Sequence, residues 1–296
     1  MDKHAYCIIA HTDPHCLQTL VDLIDHERND IFILYDRKSD ASLYEDIHAE
    51  RSYLEMLPQR IDIRWGDISQ VEAELALFEK AVTHGEKYRF IHLLSGQDLP
   101  LHTPDHIHRY CADLPEGTNL IGFSEGKDIE SNVRQKTKYY HILTRHYRHP
   151  NKWIRNTCSA IRHLCIMSQK ALRISRKWEG KYTLAKGCNW VSISMDFARY
   201  LVSHKAEILK KFRFVQCADE MYKQTLIMSS PFRKTVYDRT GAYYGPMRMI
   251  DWKRGNPYIW RSEDFNVLIN SEDLFARKFS SDVDIEVIDR LQNHLQ

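Results

Sequence analysis

At 296 residues the chain holds either one large α/β domain or two small ones, and it is long enough to bury a full core. Apolar residues at 43% and charged residues at 28% describe a folded, water-compatible chain and exclude a disordered or membrane-embedded one. A formal charge of +2 argues, at the level of totals, against a nucleic-acid binder or an acidic tail. The cysteines at 7, 16, 111, 158, 165, 188 and 217 form no CxxC and no Cys/His group of zinc spacing, so they read as reduced, mostly buried thiols of a cytoplasmic protein. The opening MDKHAYCIIAHTD is too short and polar for a signal peptide, and no run of 18 apolar residues occurs. Any membrane contact is therefore expected to be peripheral.

In chain order, AYCIIAH (5–11) is an apolar run of β-formers ended by the turn signal TDPH. Residues 16–26 follow with Leu17, Leu20, Val21 and Ile24 at helical spacing, and DIFILYD (30–36) is a second buried-strand run. Strand, helix and strand over so short a span predict a parallel βαβ unit. IDIRWGD (61–67) is expected as a strand, 71–83 as a helix, 88–101 as a strand running into a polar loop, and NLIGFSE (119–125) as a further strand. Residues 187–204 read as a strand leading into a helix. The alternation predicts a doubly wound, mostly parallel sheet, whose ligands bind beyond the carboxyl ends of the strands. That rule singles out His11, Asp36, Trp65-Gly66 and Ser95–Asp98. No GxGxxG and no P-loop is present, so the usual dinucleotide and Walker-type cradles are absent.

From Ser131 to Trp178 the composition shifts: there are 12 Lys and Arg and no Asp or Glu. With no Ser/Gly linker, repeat or low-complexity tract, the chain is expected to be a single domain (1–296) carrying a basic helical insertion at about 131–180. Trp153, Ile154, Ile161, Leu164 and Met167 alternate there with cations, which suits a helix lying on an anionic lipid surface. A solvated helix on a flap over the site is the other reading, and aromatics are too few for a nucleic-acid surface. Further on, CADEMYKQTL (217–226) sets two acids side by side ahead of a helix. Asp219 is expected to cap that helix and Glu220 to fall in its first turn, where the dipole favours the ionised form. Two surface acids at a helix start is the plain alternative.

LSGQDLPL (94–101), GCNWVSISMDFARYL (187–201), ADEMYKQTL (218–226), MRMIDW (247–252) and LFARKF (274–279), in that order, resemble glycosyltransferase family 14. These are the core 2/I-branching N-acetylglucosaminyltransferases and peptide O-xylosyltransferases. The opening AYCIIAHTDP and YDRKS (35–39) match as well, and the resemblance runs from about residue 5 to the C-terminal VDIEVIDRL. It implies a GT-A fold and an inverting transfer from a UDP-sugar that needs no cofactor and no divalent metal. SGQD stands where a metal-binding Asp-X-Asp would, and Asp98 beside Gln97 is a poor chelate. The resemblance assigns the catalytic base to Glu220, with Asp219 as the cap beside it. It places Lys278 and Arg248 on the departing diphosphate, Asp36 on the nucleoside, and Glu125 and Arg134 in the zone of the acceptor sugar; His11, ending the first strand, is expected to contact the nucleotide, and Trp190 to form an apolar wall for the acceptor sugar ring. For these residues the alternatives are a solvated acid at Asp36, a structural histidine at His11, a core tryptophan at Trp190, and surface salt bridges at Lys278 and Arg248. Trp252 is expected in the core.

N-acetylglucosamine is the expected sugar, with xylose, glucose or galactose as alternatives, and a glycan or lipid-linked glycan is the acceptor. A bacterial surface-polysaccharide enzyme, cytoplasmic or peripheral on the inner face of the membrane, is the expected setting. The rival from another class is a catalytically silent carbohydrate- or membrane-binding scaffold.

Overall fold

A computed structural model describes residues 2–178, 180, 182–237 and 245–296. The chain opens with β1 (Lys3–Ala10), α1 (Pro14–Ile24), β2 (Asn29–Tyr35), β3 (Tyr53–Met56), α2 (Ser69–Thr83), β4 (Tyr88–Ser95), β5 (Asp98–Pro100) and α3 (Pro104–Asp113). The basic stretch supplies α4 (Ile129–Lys138) and α5 (Lys152–Ala171). After it come β6 (Ser192–Ile193), α6 (Met195–Ser203), α7 (Lys205–Phe212), α8 (Tyr222–Met228), β7 (Arg248–Ile250), α9 (Phe265–Ile269), β8 (Phe275–Arg277) and α10 (Ile285–Leu295).

Among the described residues the main sheet has the order β3-β2-β1-β4-β6 and is parallel except for β6, which runs antiparallel to β4. The expected mixed α/β class with a mostly parallel sheet is what the chain forms. β1 is apolar throughout because both of its faces are covered. Ala5, Cys7 and Ile9 enter one core with residues of α2, α6 and α8, while Tyr6, Ile8 and Ala10 enter the other with residues of α1, α3 and α10. A second sheet, β5-β8-β7, joins the stretches SGQDLPL, MRMI and FARKF, which lie far apart in sequence.

Two expected strands are absent. Residues 61–67 form none, and the edge position beside β2 is taken by Tyr53–Met56, whose half-exposed side chains carry little apolar signal. Gly66 at φ +73 turns the chain where the strand was expected to run on. Of 119–125 only Asn119 and Leu120 make isolated bridges, to Val236 and Ser192. Trp252 is exposed, not in the core.

The strand order reverses between β1 and β4, since the chain leaves β1 towards β2 and returns on β1's other side. Such a switch point opens a crevice at the carboxyl ends of the two strands. His11 follows β1 there, and Ser95-Gly96 ends β4. Gly96 permits the close approach: a Cβ on it would lie 3.2 Å from the Ala10 Cβ.

Candidate active site

The polar loop after β4 is buried, at Ser95, Gln97 and Asp98 alike. Asp98 accepts the Ser95 N–H at 2.9 Å and receives Arg277 Nη1 at 2.5 Å, its register partner on β8. Burial raises the Asp98 carboxyl and the Arg277 guanidinium opposes the shift. Arg277 also stacks on the Trp190 ring at 4.5 Å, so one guanidinium couples the acid to the indole of GCNW.

Lys278, the next residue, is half-buried, and no hydrogen bond or ion pair of its ammonium is found among the described residues. Burial lowers its ammonium, Arg277 lowers it further, and Asp98 works the other way. Burial likewise lowers His11, with Lys278 and Arg277 adding to the effect and Asp36 opposing it. The field at the switch point is therefore positive and incompletely neutralised, which suits an anion. Asp13, unremarked in the sequence beyond its turn, clamps this corner. Its side chain accepts the Cys16 N–H at 3.0 Å as the cap of α1, and takes the Ser281 hydroxyl at 2.6 Å and N–H at 2.8 Å. Asp36, at the end of β2, is buried; its carboxylate accepts the Lys38 N–H at 2.9 Å and pairs with the Lys38 ammonium.

Arg248, on the neighbouring strand β7, lies within the field of Asp98 but deeper. Its side chain is 1% exposed and its Nη groups donate to Pro246 O at 2.8 Å, Val191 O at 3.2 Å and the Ser192 hydroxyl at 3.0 Å. Phe275 covers the guanidinium at 4.4 Å, and burial brings it down to about 10. The diphosphate contact expected of Arg248 finds no support in this geometry: the guanidinium is buried, its Nη groups bind main-chain carbonyls and the Ser192 hydroxyl, tying β6 to β7, and its Nε has no partner among the described residues. Arg277, beside the expected lysine in FARKF, is the arginine at the crevice.

The acidic pair departs from expectation in its local structure. Cys217 takes a left-handed φ of 51°, and Ala218–Glu220 form a single 3-10 turn of their own. The chain then breaks at Met221, with φ −129°, and α8 starts at Tyr222 with no side-chain cap. Asp219 thus caps nothing, and its Oδ1 is buried without a hydrogen-bond partner. Glu220 precedes the helix and does not occupy its first turn, so the dipole argument fails. Its charge is met by Lys136 of α4 at 3.0 Å and Lys186 at 3.3 Å, both on Oε2. Oε1 has no partner among the described residues, and the side chain is 31% exposed.

Two further ties set this carboxylate against GCNW. Gly187 N–H donates to the Glu220 carbonyl at 2.9 Å. Beneath, the buried Lys223 ammonium pairs with Glu74 and donates to Asn189 Oδ1 at 2.7 Å and to the Asp219 carbonyl at 3.1 Å. Lys136, Lys186 and Glu74 have no recognisable site signal in the sequence, because each reaches the site across the fold, while Asn189 stands in GCNW with no role legible for it. Glu125 is exposed and Arg134 lines a cleft of about 540 Å³ with Phe123, Ser124, Trp178 and Lys186. Lys186 joins that cleft to Glu220.

Away from the strand ends, His4, His92 and Cys111 bring nitrogen and sulfur atoms within 4.8 Å of one another. They lie in the core, and His92 is hydrogen-bonded to His4 at 3.0 Å and to Ser192 at 2.7 Å.

The model of the Core-2/I-Branching enzyme family matches residues 4–274. Xylosyltransferase 2 of Canis lupus familiaris is 21% identical over 98% of this chain and 33% of its own length, and the Homo sapiens protein matches equally. The chain thus spans about a third of the length of the curated relatives it matches. Among solved structures, apo mouse xyloside xylosyltransferase 1 aligns with a TM-score of 0.41 at 11% identity, over 93% of this chain and 97% of that one. With the matched region covering nearly all of its residues, the chain belongs to the Core-2/I-branching enzyme family, glycosyltransferase family 14.

Proposed function

We propose that the chain transfers a sugar from a UDP-sugar to a glycan hydroxyl with inversion, Glu220 acting as base and no divalent metal taking part. The observation that carries this reading is the part-exposed Glu220 carboxylate, anchored through Oε2 by two lysines, with Oε1 unpartnered among the described residues and Lys186 lining a neighbouring cleft. An oriented acceptor lone pair of this kind is what a one-step displacement requires. The acceptor oxygen attacks the anomeric carbon while its proton passes to Oε1. The bond from the anomeric carbon to the diphosphate breaks, and UDP leaves with the bonding pair.

Lys278 and Arg277 meet the charge of the leaving group, and His11 and Asp36, at neighbouring strand ends, hold the nucleoside. Trp190 forms a wall for the sugar ring, Arg134 binds the acceptor from the cleft, and Glu125 meets it from the exposed loop after Ser124. Metal independence is supported by Asp98, the acid of SGQD, which is already paired with Arg277. N-acetylglucosamine remains the proposed sugar; the names of the relatives make xylose the principal alternative. The acceptor is proposed to be a lipid-linked or surface glycan.

UDP release from a panel of UDP-sugars, with and without EDTA, tests the whole scheme. Turnover should survive EDTA. Glu220→Gln should retain UDP binding and lose roughly a hundredfold or more in kcat, and Lys278→Ala should lose a similar factor. Strict manganese dependence, or a Glu220→Gln variant of near-native rate, would sink the proposal.

A further inference from the structure

α5 is amphipathic the wrong way round for a helix of a globular protein. Its inward side sets polar groups among the half-buried Cys158, Cys165 and Ile166, and these groups pin it to the preceding loop. Arg155 Nη1 donates to His149 O at 3.4 Å, and Arg162 Nη1 to Leu143 O at 3.3 Å with its guanidinium over the Tyr147 ring. Gln169, buried near the far end, exchanges two hydrogen bonds with the Tyr140 backbone at 2.8 and 3.0 Å. Its outward side presents Trp153, Ile161, Leu164 and Met167, with Leu172 just past the end; Trp153 is 84% exposed and Leu164 67%. At 100° per residue these fall on one stripe roughly 30 Å long, with Lys152 and Lys170 along its flank.

A stripe of this size ordinarily faces a core or a partner. Charge decides which partner. Residues 131–178 carry 12 cations and no anion, whereas the other 248 residues carry 30 cations and 40 anions, a net of −10. A second copy docking stripe to stripe would set cations against cations. A surface of lipid phosphates complements those of them that face outward, the exposed Lys152, Lys170 and Arg173 among them, and receives the apolar side chains.

We infer that the outward face of α5 docks on an anionic lipid bilayer, holding the enzyme peripherally at the membrane. This stands apart from the assignment of donor and base, since it is measured without either.

The test is co-sedimentation of the full chain with vesicles of phosphatidylcholine alone, or mixed with phosphatidylglycerol. The chain should sediment with the mixed vesicles and stay in solution with the neutral ones. The pair Trp153→Ser and Leu164→Asp should weaken partitioning roughly tenfold or more, with thermal melting unchanged because both side chains are exposed. Absence of binding to mixed vesicles, or equal binding of the double variant, overturns the inference. So does a concentration-dependent dimer in sedimentation velocity that Leu164→Asp abolishes while vesicles remain inert, since the occupant is then a second copy.

Discussion

The Asp219 carboxyl is sealed beside Glu220, Glu74 and Lys223, and burial together with the two acids drives it up to about 7. In the unfolded chain the same group titrates near 3.8. The native state therefore holds the proton more tightly, so the associated stabilisation is complete below the unfolded value and is lost as pH rises through about 7. Asp219→Asn keeps the shape and cannot ionise. Relative to the parent it should gain roughly 1–3 kcal/mol of unfolding free energy between about pH 5 and about pH 8. Urea melts at the two pH values measure this, and an unchanged difference would show that Asp219 is ionised inside without penalty. The adjacency of the two acids was legible in ADEM, but their division of labour was not. It depends on Lys136, which lies 84 residues earlier, and on a break at Met221 that no helical periodicity reports.

Elements buried on both sides were the easiest to read from sequence. β1, β2 and β4 are nearly continuous apolar runs, and α1 and α2 repeat apolar residues at helical spacing, so local pattern and tertiary position agree. The edge strand Tyr53–Met56 escaped notice because half of its surface meets water, and β7 and β8 because three residues each are too short for a period. The loop GCNW was legible only as part of a resemblance, yet a physical reason for its first residue is visible in the fold. A Cβ on Gly187 would lie 1.8 Å from the Gly122 carbonyl oxygen and 2.7 Å from its carbon, and backbone cannot yield as a side chain does. Gly187→Ala must therefore displace the loop whose N–H holds the Glu220 carbonyl. We expect a loss of roughly 1–3 kcal/mol in chemical denaturation. If the chain works as proposed, the fall in kcat for UDP release should exceed the change in KM for the donor, because the proposed base moves while His11 and Asp36, the proposed nucleoside contacts, do not. A variant with the parent's midpoint and rate would mean that the approach relaxes without moving Glu220.

Across the whole molecule, a net charge of +2 conceals a strong separation. The sequence gathers 12 cations in 48 residues against a net of −10 elsewhere, which should give the molecule a basic face. Salt screens charges over about 10 Å at 0.1 M, so a surface brought against α5 meets the local patch and not the average. Net charge then fails as a guide to how the protein adheres. Above its sequence pI of about 8.1 the chain should still be retained by a sulfonate cation exchanger, eluting only with added salt. Reversing Lys152, Lys170 and Arg173 to glutamate should bring it into the flow-through, with melting unchanged, since all three are exposed. Passage of the parent chain through the resin at that pH would show that the separation of charge written in the sequence is cancelled in the folded surface. The result bears on the cations alone: retention follows from their grouping whether or not a lipid ever covers the apolar stripe between them.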